Sequence, residues 1–426
     1  MRVWLVQRAE STPHDDNGDR RLLRIGILAD ILSSQGHEVV WWTSAFDHVG
    51  KRKRHYQSKR IMVKKNYYIH YLKCFGYKKN ISLSRFIDNY VVANQFKKDV
   101  KLDHKIPDII LTSMPSIELS QSVVHYANEK NIPVVLDIRD LWPDVFLELL
   151  PKSLRWLVNI LTLPMRNSLI DICRNASAIS GITDNFVNWG LKHSGRERNN
   201  RDVFFPMAYI KHNVSEEKKV EANAFWKKLG ITKNDKLLNV VFLGTFTNSF
   251  EFETIFSAAE ILQKLHAPVR FVICGLGAKE AKIKKACKDL TNCVFAGWIN
   301  ASQIKIVLEL SHVGLAPYIH TKNFTENIPN KPAEYLSESL LIATTLKYGK
   351  LYNLINSNEC GFSYGNDPVK LASYLENLAK NKNDLKRLAK NSESVFIKEL
   401  NGVKVYNSMV NYLKMLSENK STNKDY

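Results

Sequence analysis

The feature that most constrains this chain is a regular alternation of short apolar runs with helix-length amphipathic segments. RVWLVQ (2–7) is followed by a polar loop and by RRLLRIGILADILSSQGH, whose apolar residues fall at helical spacing; Gly36 ends that helix, and EVVWWTS (38–44) reads as the next strand. DIILTS (108–113), PVVLDI (133–138) and ASAISGIT (176–183) continue the series with helix-like segments between them. Strands joined through helices run parallel, so the repetition predicts an α/β fold with a doubly wound sheet. The pattern breaks at 192–213, which reads as an interdomain linker. It resumes with LNVVFLG (238–244), PVRFVICG (268–275), NCVFAG (292–297), VGLAP (313–317) and LLIATT (340–345), a second parallel sheet. From about residue 367 onward the spacing is helical, and STNKDY reads as a frayed end. The domain limits this predicts are 1–200, 201–395, and a last helix with tail over 396–426 that packs back toward the first domain.

Length supports that division, because 426 residues suffice for two cores. Six cysteines stand without any Cys-x-x-Cys pair, which points to buried thiols and away from a zinc site or a disulfide framework. No apolar run approaches a membrane span, and the N-terminus is too short in apolar residues for a signal peptide, so a cytoplasmic or peripheral protein is expected. The formal net charge of +19 is unevenly placed: between Asp47 and Asp88 there is no acid, while residues 51–79 carry eleven lysines and arginines. Such a block attracts a polyanion, whether anionic lipid, a diphosphate-bearing substrate or nucleic acid. Trp41, Trp42, Tyr67, Tyr68, Tyr71 and Phe75 lie near it in sequence, and the segment 150–164, LPKSLRWLVNILTLP, reads either as an interfacial helix or as an ordinary core-facing one.

In open α/β sheets ligands sit outside the carboxyl ends of strands, so the loops there carry the candidate chemistry. The stretch NFTENIPNKPAEYLSE (323–338) is the most informative of them. Pro332 suits a helix start, and a helix N-terminus with Lys331 beside it suits a phosphate. Glu334, placed on the first turn, has two oxygens for a pair of ribose hydroxyls, and Glu326 lies eight positions earlier. GLGAKE, from Gly275, reads alone as a tight turn.

The spacing Glu-x7-Glu from Glu326 to Glu334, with Pro and Lys between, resembles the donor-site motif of family 4 glycosyltransferases. LDIRDLWPD (136–144), with TSMPSIELS and GHEVVWWTS, is similar to the branch typified by N-acetyl-L-fucosaminyl transferases of bacterial O-antigen and capsule clusters. The resemblance covers nearly the whole chain and implies GT-B, two Rossmann-like doubly wound parallel-sheet domains facing across a cleft. It implies that Lys331 binds the donor diphosphate, that Glu334 holds the ribose and Glu326 the transferred sugar, and that Asn327, Ile328 and Asn330 line the same turn. Gly18, Thr245, Asn248, Ser249 and Gly275 correspond to donor-side loops, and Trp298 and Ile299 to the strand end that borders the base. In place of the family's basic residue, the loop after Gly244 reads TFTNS. On the acceptor side the cluster Asp137, Arg139 and Asp140, with Ser113, is expected at the first domain's strand ends, with Asp140 joining Glu326 and Lys331 as catalytic groups.

What the resemblance implies chemically is metal-independent, retaining transfer of a sugar such as N-acetyl-L-fucosamine. The donor would be a UDP-sugar, and the acceptor a polyprenyl-diphosphate-linked glycan at the cytoplasmic face of the inner membrane. No metal, no cofactor and no nucleic acid partner is expected, and the basic block 51–79 would meet the anionic membrane surface. The alternatives are a UDP-sugar 2-epimerase on the same fold, or a non-catalytic basic binding protein.

Overall fold

The computed structural model describes residues 1–15, 22–80, 82–148, 151–211, 213–233 and 236–422. Two compact units emerge: Met1–Pro206 together with the chain from Lys404 onward, and Met207–Val403. The change of unit after Pro206 falls within 192–213, but that stretch also holds the end of a helix (Asp184–Ser194) and a short strand, so only part of it is connection.

The first unit is built on strands β1 (Arg2–Val6), β2 (Glu38–Ser44), the ribbon β3 (Phe46–Asp47) with β4 (Arg52–Lys53), β5 (Lys59–Lys64), β6 (Tyr67–Leu72), β7 (Ile109–Ser113), β8 (Val134–Ile138), β9 (Ala178–Gly181) and β10 (Val203–Phe204). Eight of them form one sheet in the order β10-β9-β8-β7-β1-β2-β6-β5, parallel throughout except for the β5–β6 hairpin. Its central strands are buried on both faces, which is why they read as continuous apolar runs. Trp4, Trp41, Trp42, Tyr67 and Tyr71 have no exposed surface, and large side chains so buried each contribute roughly 1.5–3 kcal/mol. Four of the aromatics expected to support membrane contact, Trp41, Trp42, Tyr67 and Tyr71, are therefore core residues. Phe75 is exposed and Tyr68 half-buried.

The second unit has six parallel strands: β11 (Leu238–Leu243), β12 (Val269–Cys274), β13 (Cys293–Gly297), β14 (Val313–Ala316), β15 (Leu341–Thr344) and β16 (Gly361–Ser363). Their order is β13-β12-β11-β14-β15-β16. One apolar layer gathers Phe242, Ile255, Phe271, Leu336 and Leu375, and the other Val241, Val272, Trp226, Val307 and Tyr335. All six cysteines are free thiols, five buried and Cys293 half-buried. No helix among the described residues is long and apolar enough to cross a membrane.

Candidate functional site

In the second sheet the chain winds outward from β11 to β13 and then returns to place β14 on the other side of β11. That reversal opens a crevice at the carboxyl ends of β11 and β14, where such sheets take ligands. The helix Asn330–Ser337 is pinned there by one side chain. The Tyr335 hydroxyl accepts from Leu243 N–H at 3.1 Å and donates to the Leu315 carbonyl at 3.3 Å, tying the helix to the ends of both strands. Burial holds the phenol well above its usual pKa, so it stays protonated and can donate. Gly314 lets the ring in, since a Cβ there would lie 2.2 Å from it.

Lys331 stands one turn before Tyr335, on the same helix face. Its ammonium lies over the Phe250 ring at 4.5 Å and near Phe242 at 5.6 Å. The side chain also crosses Gly244, where an added Cβ would meet Lys331 Cε at 2.5 Å. The neighbouring loops are stitched to this floor: Gly244 N–H donates to Cys274, Gly275 N–H to Gly297 and Phe246 N–H to Leu276. On the other flank Glu251 N–H reaches Pro317, and Ile319 N–H reaches Ser249. Gly275 makes the close approach to Gly244 possible, because a Cβ on it would fall 1.8 Å from the Gly244 carbonyl oxygen.

The structure thus brings Lys331, Thr245, Asn248, Ser249 and Gly275 onto joined loops of one sheet end. Thr245, Asn248, Asn330 and Trp298 are exposed, whereas Ile299 is buried and can offer only backbone. Ile328 and Glu326 are half-buried, Glu326 closing the short helix Lys322–Thr325. Glu334 and Asn327 are buried, and the Asn327 Oδ1 has no hydrogen-bond partner, an orphaned acceptor in the turn that leads into the helix. The helix starts at Asn330 rather than at Pro332, so Glu334 sits beyond the first turn, and no side chain caps the N-terminus. One cation went unnoticed in the sequence: Lys279, in GLGAKE, extends its ammonium to the Phe250 carbonyl at 3.3 Å. Two lysines, one from the helix Asn330–Ser337 and one from the loop after β12, therefore converge on Phe250.

In the first unit Gly18 lies outside the described residues. Asp137, expected to face the acceptor, is instead fully buried: Arg24 grips both its oxygens at 3.1 and 3.2 Å and Ser180 adds a third bond, which together hold its pKa down. It is a scaffold residue. Arg139 pairs with Glu10, whose other oxygen accepts from Ile25 N–H at 2.9 Å. Ser113 is buried with an unpartnered hydroxyl. Asp140 keeps part of its surface open and is pushed up to about 6, burial outweighing the Leu141 N–H, Arg85 and Arg139. Among the described residues no group of three or more His, Cys, Asp or Glu lies close enough to hold a metal ion.

Residues 225–395 match the family described as glycosyl transferases group 1. The second unit resembles group 1 glycosyl transferases. Solved structures share the fold of the whole chain. Sucrose-phosphate synthase from Thermosynechococcus elongatus matches at a TM-score of 0.70 and 13% identity, over 97% of this chain and 98% of that one. WaaG, a glycosyltransferase involved in lipopolysaccharide biosynthesis, matches at 0.62 and 14%, over 96% and 99%. Anabaena HepE in complex with UDP-glucose matches at 0.63 and 11%, over 97% and 100%. The likeness establishes two Rossmann-like units of the GT-B fold. Curated protein sequences return no match.

Proposed function

We propose that this protein is a glycosyltransferase that moves a sugar from a UDP-sugar to a lipid-linked glycan with retention of configuration. The observation that carries the reading is the Lys331 ammonium, held over Gly244 and Phe250 at the β11–β14 switch point of the second sheet. A departing diphosphate needs positive potential fixed in advance, and a lysine braced by a helix, with that helix's uncapped N-terminus beside it, supplies it. Lys279 adds a second cation from the opposite loop. Asn327 offers an acceptor for a sugar hydroxyl, Glu334 for the ribose and Glu326 for the transferred sugar. HepE was solved with UDP and glucose and with UDP-glucose, which supports a uridine donor.

In the proposed step the bond from the sugar's anomeric carbon to the diphosphate oxygen breaks, and one from the acceptor oxygen forms on the same face. The acceptor proton passes to the departing diphosphate, so neither a metal nor a protein nucleophile is required. Asp140 is assigned to hydrogen-bond the acceptor hydroxyl.

The acceptor is proposed to be a polyprenyl-diphosphate glycan, reached from the cytoplasmic face of an anionic membrane. WaaG, by its description, acts in lipopolysaccharide biosynthesis, in keeping with an O-antigen or capsule role and a donor such as UDP-N-acetyl-L-fucosamine. Residues 151–164 support membrane docking: Trp156, Leu157, Ile160, Leu161 and Leu163 are exposed, and in the helix Arg155–Leu161 only Val158 is buried. Lysines and arginines of 51–79 on the outer hairpin, such as Lys59, Arg60, Lys64 and Lys65, are exposed as well. The test is mass spectrometry of a synthetic polyprenyl-diphosphate glycan incubated with a panel of UDP-sugars. A mass gain that disappears in Lys331→Gln supports transfer. Conversion of the UDP-sugar without acceptor would make the protein an epimerase, and no change with any donor would leave it a binding protein.

A further inference from the structure

The second sheet ends at β16, which among the described residues pairs only with β15, and a cavity of about 620 Å³ lies along that edge. The ladder fixes which way its backbone groups point. Ile342 N–H donates to the Cys360 carbonyl at 3.1 Å and Tyr364 N–H to the Thr344 carbonyl at 2.9 Å, so Cys360, Phe362 and Tyr364 turn their backbone toward β15. Gly361 and Ser363 alternate with them and turn their N–H and C=O groups outward, where these have no partner among the described residues. Both residues line the cavity. Apolar side chains flank them: Tyr352 and Ile355 from the helix Lys350–Ser357, and Tyr374 and Leu378 from the helix Pro368–Lys380. Tyr374 stacks on Phe362 at 4.5 Å and is still 42% exposed.

The two ends of β16 carry opposite charge. Just before the strand Glu359 pairs with Arg387, which also meets Asp384 at 3.3 Å, two carboxylates on one cation. Just beyond it Lys347 and Lys370 line the cavity with a single carboxylate, Asp367. Asp367 is committed to its own helix, where Oδ1 accepts from Val369 and Lys370 N–H at 3.0 Å each. Glu251, which faces Tyr364, is likewise turned to Thr254 N–H at 3.1 Å. Lys347 is seated by Gly365, whose φ is +57° and where an added Cβ would stand 2.5 Å from Lys347 Cε. His320 beside Lys347 is held below its usual pKa by burial and by that lysine, so it adds no charge at neutral pH.

We propose that this edge binds the C-terminal segment of a partner chain, laid parallel to β16 with its free carboxylate between Lys347 and Lys370. Outward N–H and C=O groups on alternate residues of a strand are matched by another extended backbone, and the flanking apolar side chains receive its side chains. Every pairing in this sheet is parallel, and the charges favour the same direction. An antiparallel segment would bring its carboxylate to Glu359 and Asp384. From Glu359 to Tyr364 the extended chain covers about 17 Å, which a segment of about five residues fills, basic at its start and apolar or β-branched between. A strand as short as β16 templates little by itself, so the charged ends select the ligand. The surface is separate from the proposed donor crevice, because β15 stands between β16 and β14.

The test is selection, on the immobilised full chain, of displayed peptides of about seven random residues ending in a free carboxylate, then titration of the enriched sequence as acid and as amide. Enriched peptides should carry a basic residue about five positions before the terminus, and amidation and Lys347→Glu should each weaken binding by about tenfold or more. Ser363→Pro removes an outward N–H without touching the ladder to β15, and should weaken binding as much. UDP affinity should stay within about twofold in both variants, which also confirms that they fold. No enrichment, or peptide binding that neither variant alters, overturns the site. An amide that binds as tightly as the acid overturns the carboxylate capture, and displacement of the peptide by UDP overturns its placement at β16. Should Ser363→Pro fail to fold, Lys347→Glu and the amide decide.

Discussion

Replacing Gly244 by alanine should disarm the donor site without touching a charged residue. The φ of Gly244 is +149°, a region closed to side chains, and holding alanine there costs about 1–3 kcal/mol. The new methyl would stand 2.5 Å from Lys331 Cε and 2.6 Å from its Nζ. Backbone stitched to Cys274 resists moving, whereas the end of a lysine swings easily, so Lys331 leaves its place over Phe250. The lost charge-assisted bond to a diphosphate corresponds to about 1.5–3 kcal/mol, roughly 10- to 150-fold in UDP affinity and kcat/KM. Calorimetry and steady-state kinetics on Gly244→Ala, Lys331→Gln and the double variant read this directly. If the alanine acts through Lys331, the double variant is no worse than Lys331→Gln by more than about threefold. Fully additive losses, or a Gly244→Ala enzyme with wild-type UDP affinity, would refute the reasoning.

Tyr335→Phe removes the hydroxyl that serves both Leu243 and Leu315 and leaves a buried N–H without its partner; a destabilisation of about 1–3 kcal/mol by urea unfolding is expected, with weaker UDP binding. Asp140, held at about 6 when folded against its usual 3.8, binds more protons folded than unfolded between those values, so its contribution to stability falls as pH rises through that window. The cost above pH 6 is at most about 3 kcal/mol, less because the group is partly exposed, and Asp140→Asn should gain relative stability from pH 4 to pH 7. If the ionised carboxylate serves the acceptor hydroxyl, kcat/KM also falls as pH drops below about 6, and Asp140→Asn loses that inflection. Sedimentation with vesicles should show a preference for anionic over neutral lipid that weakens with salt, and Trp156→Ser with Leu161→Ser should reduce it; equal binding to both lipids would sink the docking idea.

Strands buried on both faces were legible because a parallel sheet covered by helices leaves continuous apolar runs; all ten expected strands are present. The β5–β6 hairpin escaped because KRIMVK lies at the sheet edge and spends its lysines and arginine on solvent, so it reads as a charged block. The start of the helix Asn330–Ser337 was misplaced by two residues because Pro329 and Pro332 are both tolerated near a helix start, one as the N-cap and one in the first turn. Asp137 and Arg139 announced a polar cluster, but which of them faces a ligand depends on Arg24 and Glu10, more than 100 residues away in sequence. The same limit hid Lys279, whose meaning comes only from the Phe250 carbonyl that the fold brings to it.

In the proposed donor site, the TFTNS loop lacks the basic residue that the resemblance leads one to expect. Phe246 is fully buried, stacked on Phe242, and its backbone takes the close approach of Gly277. A charged side chain at that point would be buried without a partner. Phe246 is committed to packing, and Phe250, the residue just after TFTNS, contributes its ring face to Lys331 and its carbonyl to Lys279. The positive charge is thereby carried by flanking segments, one on the helix after β14 and one in the loop after β12, while the loop itself holds their ends in place. Such a division makes the site's potential depend on loop register. Shortening TFTNS by one residue should then lower donor affinity about as much as losing Lys331 itself, with both lysines still present; unchanged UDP affinity in that deletion would show that Phe250 positions neither of them.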